Sequence, residues 1–136
     1  MNLAYGLLSV DVLRAVQLAG LDPFIGLYHR PASGRAHLVL DLMEEWRPVL
    51  ADPTAVACVR RRGVGDDDFV RDAAGTVSLT NKALRRFVGE YHRRSETVVT
   101  IEGSSRPYRE WVDRQAEGLA RSFQPGGRPY SGFVVP

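Results

Sequence analysis

The chain has very little cysteine and lysine and no long apolar run. Cys58 is its only cysteine, so no disulfide can form within the chain, and a reducing compartment, most simply the cytoplasm, is expected. Charged residues interrupt the apolar runs within about ten positions, whereas a membrane-spanning helix needs about 20 apolar residues. The N-terminal sequence from Met1 to Gly6 has no basic residue, which argues against a signal peptide. With 136 residues, 44% hydrophobic and 25% charged, the chain predicts one ordinary soluble domain.

The near absence of lysine leaves arginine as the source of positive charge. The chain has 18 basic and 16 acidic residues, and Lys82 is the only lysine. A GC-rich genome favours arginine codons whatever the protein does, and this is the simpler explanation. The alternative is phosphate contact, because the guanidinium group matches the geometry of phosphate oxygens. Residues 1–78 carry 8 basic and 10 acidic groups, and residues 79–136 carry 10 and 6, so the first part is the more acidic.

Hydrophobic periodicity predicts a mainly α, multi-helix fold with a minor β-hairpin. The first helix is expected from Asn2 to about residue 19, and the second from His37 or Leu38 to Pro48, where a kink or break is expected. The third is expected to begin with Asp52 as its N-cap and Pro53 as its first residue, and to end near Gly63. The last two are expected from Thr80 or Asn81 to about Arg94 and from Ser104 or Ser105 to about Phe123. Residues 69–71 and 76–79 predict a small hairpin. We therefore divide the chain into a helical domain, 1–123, and an irregular Pro- and Gly-rich tail, 124–136.

A histidine and three acids form the cluster best suited to chemistry. His29 lies in a predicted loop, and Asp41, Glu44 and Glu45 follow at the start of a helix. Spacings of three and four residues place these carboxylates on one helix face, at the edge of the apolar surface. Carboxylate oxygens and an imidazole suit Mg²⁺ or Mn²⁺ and leave positions open for phosphate oxygens.

Each of these features also has a plain structural explanation. Acidic residues in a first helical turn complement the helix dipole, and a histidine in a loop is usually only a polar loop residue. His37 and His92 lack a nearby pair of acids, so we expect surface or capping roles for them, and Cys58 is expected in the core. The sequence contains no Gly-rich phosphate loop, zinc-type cysteine pair or serine nucleophile elbow, which argues against nucleotide-binding and hydrolase classes.

Two longer motifs are more specific. Residues 20–29 contain a Gly-Leu-Asp-Pro turn followed by Gly-x-x-His, and residues 41–48 read Asp-Leu-Met-Glu-Glu-Trp-Arg-Pro. In this order and spacing they resemble the CRISPR-associated adaptation integrase and endonuclease, the Cas1 family. The helix before them and the elements through the tail resemble the helical C-terminal catalytic domain of that family more weakly. The resemblance thus extends over nearly the whole chain.

The resemblance implies a metal-dependent DNA endonuclease and integrase. His29 and Glu44 match metal ligands of the family, Asp41 matches an acid that assists or orients the site, and Glu45 has no role and is expected in solvent. The ion, Mg²⁺ or Mn²⁺, would activate a DNA 3′-hydroxyl or a water and neutralise charge on the attacked phosphodiester. Weaker DNA contacts are expected at Arg30, Arg35 and Arg47. The implied partners are pre-spacer and repeat DNA, Cas2 and a second copy in a homodimer.

One departure from the family limits this interpretation. The first metal ligand of the family is a glutamate on a helix upstream of Asn2, and no glutamate precedes Glu44 here. The chain is therefore interpreted as the C-terminal part of such an integrase, with weak Mn²⁺ binding and poor activity alone. Two alternatives remain open: a non-catalytic helical DNA-binding or assembly module, in which arginines including 60–62 hold phosphates by charge, and a helical protein-interaction domain.

Overall fold

The computed structural model describes residues 2–26, 36–61 and 63–133 of the chain. In these ranges the α-helices are α1 (Asn2–Leu18), α2 (His37–Trp46), α3 (Asp52–Arg60), α4 (Asn81–Ser95) and α5 (Tyr108–Ser122). The strands form two antiparallel hairpins, one from β1 (Phe69–Arg71) and β2 (Val77–Leu79) and one from β3 (Val98–Ile101) and β4 (Ser104–Pro107). The mainly α fold with a minor β component is confirmed. Across the described ranges, no helix is long and apolar enough to cross a membrane.

Helix α1 lies at the centre of the packing and contacts every other α-helix. Its buried side chains recur mainly at three- and four-residue spacings, which places them on one face of the helix; they are Ala4, Leu8, Val12, Ala15 and Val16. The opposite face includes exposed Val10 and Leu18, so α1 is less completely buried than its apolar composition suggested. The core is completed by Trp46 and Leu50, which have no exposed surface, and by Leu119.

At Pro48, where a kink or break was predicted, the α-helix gives way to a different helical geometry without a gap before α3. Residues Arg47–Ala51 form a π-helical turn, and α3 follows directly at Asp52. Pro48 lies in the first positions of this turn, and its missing N–H removes one hydrogen bond to the preceding helix, which fits the change from α to π geometry here. Val49, Leu50 and Ala51 are buried, so burial of the turn favours continuous helix. Asp52 therefore has helical backbone angles and does not act as the predicted N-cap.

The hairpin β3–β4 was not predicted, and it replaces the expected start of the last helix. Ser104–Pro107 pairs with Val98–Ile101, so α5 begins only at Tyr108. Glu102 and Gly103 join the strands with φ angles of 50° and 76°. Two positive φ angles in succession are typical of the tight turns whose twist matches a hairpin. By contrast, the β1–β2 hairpin and the cap of α4 by Thr80, whose hydroxyl accepts a bond from the Ala83 N–H at 3.3 Å, are confirmed.

Candidate active site

The three acids of α2 do not share one surface. Asp41 is only 7% exposed and lies among the buried residues of the helix. The Glu44 side chain is 62% exposed, and Leu40, one turn earlier, is also exposed. Because most other side chains of α2 are buried, Glu44 is the carboxylate of this helix that solvent or a ligand can reach.

Arg47 holds the Glu44 carboxylate one turn later on the same helical segment. Its Nη1 donates to Glu44 Oε1 at 2.6 Å, and its Nη2 donates to the Tyr5 hydroxyl at 3.2 Å. The guanidinium also lies over the Tyr5 ring, 4.4 Å from its centroid. The bond with Tyr5, and then that with Glu44, raises the pKa of Arg47 above its ordinary value. Arg47, predicted as a DNA contact, is thus a permanent cation beside Glu44.

Tyr5 and Asp52 complete this arrangement and were missed by the sequence analysis. The Tyr5 hydroxyl donates to Asp52 Oδ1 at 2.9 Å while it accepts the bond from Arg47. A continuous series of polar contacts therefore joins α2, the π-helical turn, α1 and α3. The spacing of Glu44 and Arg47 is a local signal that could have indicated an ion pair. Nothing local relates Tyr5 to Asp52, since 47 residues separate them.

Glu45 is not a solvated residue, contrary to expectation, because it binds the C-terminal tail. We use "the tail" for residues 124–133, which have no regular structure. Glu45 Oε1 accepts a bond from the Tyr130 hydroxyl at 2.9 Å, and Oε2 accepts bonds from the Gln115 side-chain amide and the Phe133 backbone N–H. Three donors on a partly buried carboxylate fix both its position and that of the tail.

Trp46 adds an apolar contact to the same junction. Its indole stacks on Phe133 with ring centroids 3.9 Å apart and an interplanar angle of 29°. Its N–H donates to the Gln115 side-chain oxygen, while the Gln115 amide donates to Tyr130 at 2.7 Å. Glu45 and Trp46, the two residues after Glu44, therefore both attach the tail to α2. Sequence position gave no indication of this, because Tyr130 and Phe133 are 85 and 88 residues away from Glu45.

A family comparison now identifies the chain. A family model described as CRISPR associated protein Cas1 matches residues 1–93, which include α1, α2, α3 and most of α4. The chain belongs to the Cas1 family. The membership that the two sequence motifs predicted is thus confirmed. Over 137 aligned residues the chain is 37% identical to a CRISPR-associated exonuclease Cas4/endonuclease Cas1 fusion from Geobacter sulfurreducens, and the alignment covers 99% of this chain and 24% of that protein. The chain therefore spans about a quarter of the length of this relative.

Solved structures share the fold of this Cas1-family chain. A casposase bound to integration product matches with a TM-score of 0.82 and 24% identity, covering 89% of this chain and 35% of that one. A partial Cas6-RT-Cas1–Cas2 complex matches with a TM-score of 0.74 and 26% identity, covering 89% and 36% of the two chains. The first likeness concerns the fold alone, and both extend beyond the residues that the family model matches.

The metal-ligand predictions for this Cas1-family chain stay predictions. His29, Arg30 and Arg35 lie outside the described residues. Within those residues, no group of three or more His, Cys, Asp or Glu side chains could hold an ion. Of the predicted ligands, Glu44 lies within the described residues and fits an ion: it is an exposed carboxylate, the ligand type that hard divalent cations prefer, near the C-terminal end of α2. Asp41, buried one turn earlier, fits the supporting role better than direct ligation.

The other singled-out residues divide between core and surface. Cys58 is 4% exposed, and burial raises the pKa of its thiol. This agrees with the expectation that Cys58 lies in the core. His92 is exposed, as expected. His37 is only 6% exposed at the start of α2, so the expectation of a surface residue is wrong.

Proposed function

We propose that this chain contributes to DNA joining and cleavage in CRISPR adaptation through a divalent-metal site that contains His29 and Glu44. The observation that carries the proposal is the exposed Glu44 carboxylate, oriented by Arg47, inside the segment that the Cas1 family model matches. Relatives named as endonucleases support the reaction class. The substrate would be pre-spacer DNA, joined to the repeat by transesterification.

The proposed metal is Mg²⁺ or Mn²⁺, held by Glu44 and His29. When bound, such an ion activates a 3′-hydroxyl or a water as nucleophile and neutralises negative charge on the phosphodiester. Arg47 donates to one oxygen of Glu44, so it places a fixed positive charge next to the ligand. The ion and Arg47 would both attract a phosphate oxygen, and this attraction would be stronger in the transition state than in the ground state, because negative charge develops there. Asp41 would orient the helix turn that carries Glu44.

The site of this chain alone would be incomplete. The family resemblance implies a further glutamate ligand, and these 136 residues contain no glutamate before Glu44. Two protein ligands and a neighbouring Arg47 cation give weak metal affinity, because like charges repel. We therefore propose that the 136-residue chain binds Mn²⁺ weakly and joins DNA poorly, and that full activity needs the missing ligand in place.

The proposed partners follow from the same family membership. Cas2 is proposed because a solved complex of similar fold is named as containing Cas1 and Cas2, and DNA because the matching casposase is bound to an integration product. We also propose a homodimer and a cytoplasmic location. The location is proposed because a single cysteine, which cannot form a disulfide within the chain, is typical of a reducing compartment.

Paramagnetic Mn²⁺ binding and strand transfer test the metal site together. Titration of the chain with Mn²⁺ would be followed by electron paramagnetic resonance. DNA joining would be measured with a labelled pre-spacer duplex as the substrate. We expect Glu44→Gln and His29→Ala each to weaken Mn²⁺ binding and abolish any metal-stimulated joining. Glu96→Gln is the matched control, because Glu96 is also exposed and paired with an arginine, Arg109, at 2.7 Å. Equal Mn²⁺ affinity in Glu44→Gln and the control would refute the proposal, as would efficient joining by the isolated chain.

The second candidate is a non-catalytic DNA-binding or assembly module with the same fold. The ion pair of Glu44 with Arg47 favours it, since a carboxylate already neutralised by a cation attracts a metal less. Under this alternative the unmodified chain binds DNA with steep salt dependence but shows no metal-stimulated joining, and Glu44→Gln leaves DNA affinity unchanged.

A further inference from the structure

Arg47 divides its two terminal nitrogens between two acceptors. Nη1 donates to Glu44 Oε1 at 2.6 Å, while Nη2 donates to the Tyr5 hydroxyl at 3.2 Å. A guanidinium frequently grips a carboxylate with two parallel bonds, one to each oxygen. Here the second nitrogen bonds to Tyr5 instead, and no residue of the described ranges donates to Glu44 Oε2. One oxygen of an exposed carboxylate is therefore open to a ligand.

Two contacts fix Tyr5 in the position that holds this second nitrogen. Its hydroxyl donates to Asp52 Oδ1 at 2.9 Å, which leaves the lone pairs of the hydroxyl oxygen to Arg47. Its ring lies under the guanidinium, 4.4 Å from Arg47 Cζ to the ring centroid. An anionic acceptor polarises a hydroxyl and strengthens the bond that the same oxygen accepts. The Asp52 carboxylate thus acts on Arg47 through Tyr5.

The π-helical turn brings the side chains of Arg47 and Asp52 closer to one side of the chain. The backbone N–H of Asp52 donates to the carbonyl oxygen of Arg47, five residues earlier, and this spacing defines a π-helix. In an α-helix, side chains five positions apart point about 140° away from each other, because each residue turns by about 100°. The wider π turn reduces this angle, so one tyrosine bridges both side chains. Such π-helical turns frequently occur at functional sites.

We infer that Tyr5, supported by Asp52, is a positioning residue that keeps Arg47 on one oxygen of the neighbouring carboxylate and leaves the other oxygen to a divalent metal ion. The choice of a metal ion as the ligand rests on the proposed function. If Nη2 were released from Tyr5, Arg47 would bond to both oxygens of Glu44 and compete with the ion for the whole carboxylate. With Nη2 held, the guanidinium stays beside the ion and still presents donors that suit a phosphate oxygen.

Mn²⁺ affinity, measured by electron paramagnetic resonance, tests this inference through the direction of each change. We expect Tyr5→Phe to weaken Mn²⁺ binding about tenfold, a usual effect when a residue that supports a metal ligand is lost. Arg47→Gln removes the competing cation, so we expect it to strengthen Mn²⁺ binding about fivefold. The matched control is Tyr91→Phe, which removes a similar hydroxyl-to-carboxylate bond, of 2.7 Å to Asp11, and should leave the affinity unchanged.

The double variant Tyr5→Phe/Arg47→Gln separates positioning from a general loss of structure. A residue that acts through Arg47 has no effect once Arg47 is absent, so the double variant should bind Mn²⁺ as tightly as Arg47→Gln alone. Asp52→Asn keeps a neutral acceptor for the Tyr5 hydroxyl and should weaken binding only about threefold. Equal losses from Tyr5→Phe with and without Arg47 would overturn the inference, as would an equal loss from Tyr91→Phe.

A crystal structure of the metal-free Tyr5→Phe variant tests the orientation of Arg47 independently of any ion. We expect both Nη1 and Nη2 to lie within hydrogen-bond distance of the Glu44 carboxylate. An Nη2 that stays away from Glu44 would show that Tyr5 does not position Arg47, and the inference would fail. By contrast, equal Mn²⁺ affinity of Glu44→Gln and the unmodified chain would refute the proposed metal site, so the two failures are distinguishable.

Discussion

The Glu45 carboxylate accepts a hydrogen bond from the Tyr130 hydroxyl at 2.9 Å, although 85 residues separate them in the chain. Glu44, the preceding residue, faces solvent and binds Arg47. Adjacent glutamates on one helix thus serve different purposes, because successive helical residues point about 100° apart. Glu45 joins the end of the described chain to the helix that presents Glu44.

Removal of the Tyr130 hydroxyl should loosen the tail. Tyr130→Phe keeps the ring but leaves Glu45 and Gln115 without one partner, so we expect a loss of about 1–3 kcal/mol in the free energy that holds the tail. Hydrogen exchange at the Phe133 amide, which donates to Glu45, would report this opening. Ser131→Ala, at an exposed tail position, is the control and should leave the exchange rate unchanged.

Loss of the Tyr5 hydroxyl should disturb Arg47 and Asp52 together. Tyr5→Phe removes the bonds at 3.2 and 2.9 Å but keeps the ring under the guanidinium. We expect urea unfolding to show a stability lower by about 1–2 kcal/mol, the usual effect of losing partly buried hydrogen bonds. Tyr5→Phe combined with Asp52→Asn should cost less than the sum of the single changes, since both residues share one bond. Strict additivity would contradict this coupling.

Alkaline pH should destabilise the fold through Tyr91. Its ring is 3% exposed and its hydroxyl donates to Asp11 at 2.7 Å. Burial, and then the Asp11 charge, raises the pKa of Tyr91 well above its ordinary value of 10.0. The folded state therefore keeps a proton that the unfolded state loses above about pH 10, so stability falls with rising pH by up to about 1.4 kcal/mol per pH unit.

The Tyr91→Phe variant isolates this contribution. Phenylalanine cannot titrate, so we expect its free energy of unfolding to fall less steeply than that of the unmodified chain between about pH 9 and pH 11. Chemical denaturation at several pH values measures both slopes. Identical slopes would mean that Tyr91 ionises as readily in the folded protein as in the unfolded chain.

Cys58 should react slowly in the folded protein. It is 4% exposed, and burial raises the pKa of its thiol, so little thiolate is present near neutral pH. We expect a disulfide reagent such as dithionitrobenzoate to modify Cys58 at a small fraction of its rate in urea. Because Cys58 is the only thiol, the colour change counts this residue alone. Equal rates in buffer and in urea would show that its helix opens freely.

Local patterns predicted much of the helical structure correctly. The helix from Asn81 to Ser95, its Thr80 cap and the hairpin of residues 69–79 depend on periodicity and turn residues within a few positions of one another. The second hairpin was missed because Ser104–Pro107 resembles a helix start, whereas pairing with Val98–Ile101 satisfies its backbone. At Pro48 the α-helix gives way to a π-helical turn rather than to a loop, since residues 49–51 are buried there.

The sequence by itself determined the helical character of this chain, its Cas1 membership and the choice of Glu44 as a candidate ligand, because these depend on residue types and short spacings. Only the tertiary structure decided which acids of α2 are buried, that Arg47 binds Glu44 and Tyr5, and that Glu45 fixes the tail. Those contacts join residues 42 to 88 positions apart, with Glu44–Arg47 the one local exception. Tertiary packing brings such distant residues together, and their contacts cannot be predicted from local sequence periodicity.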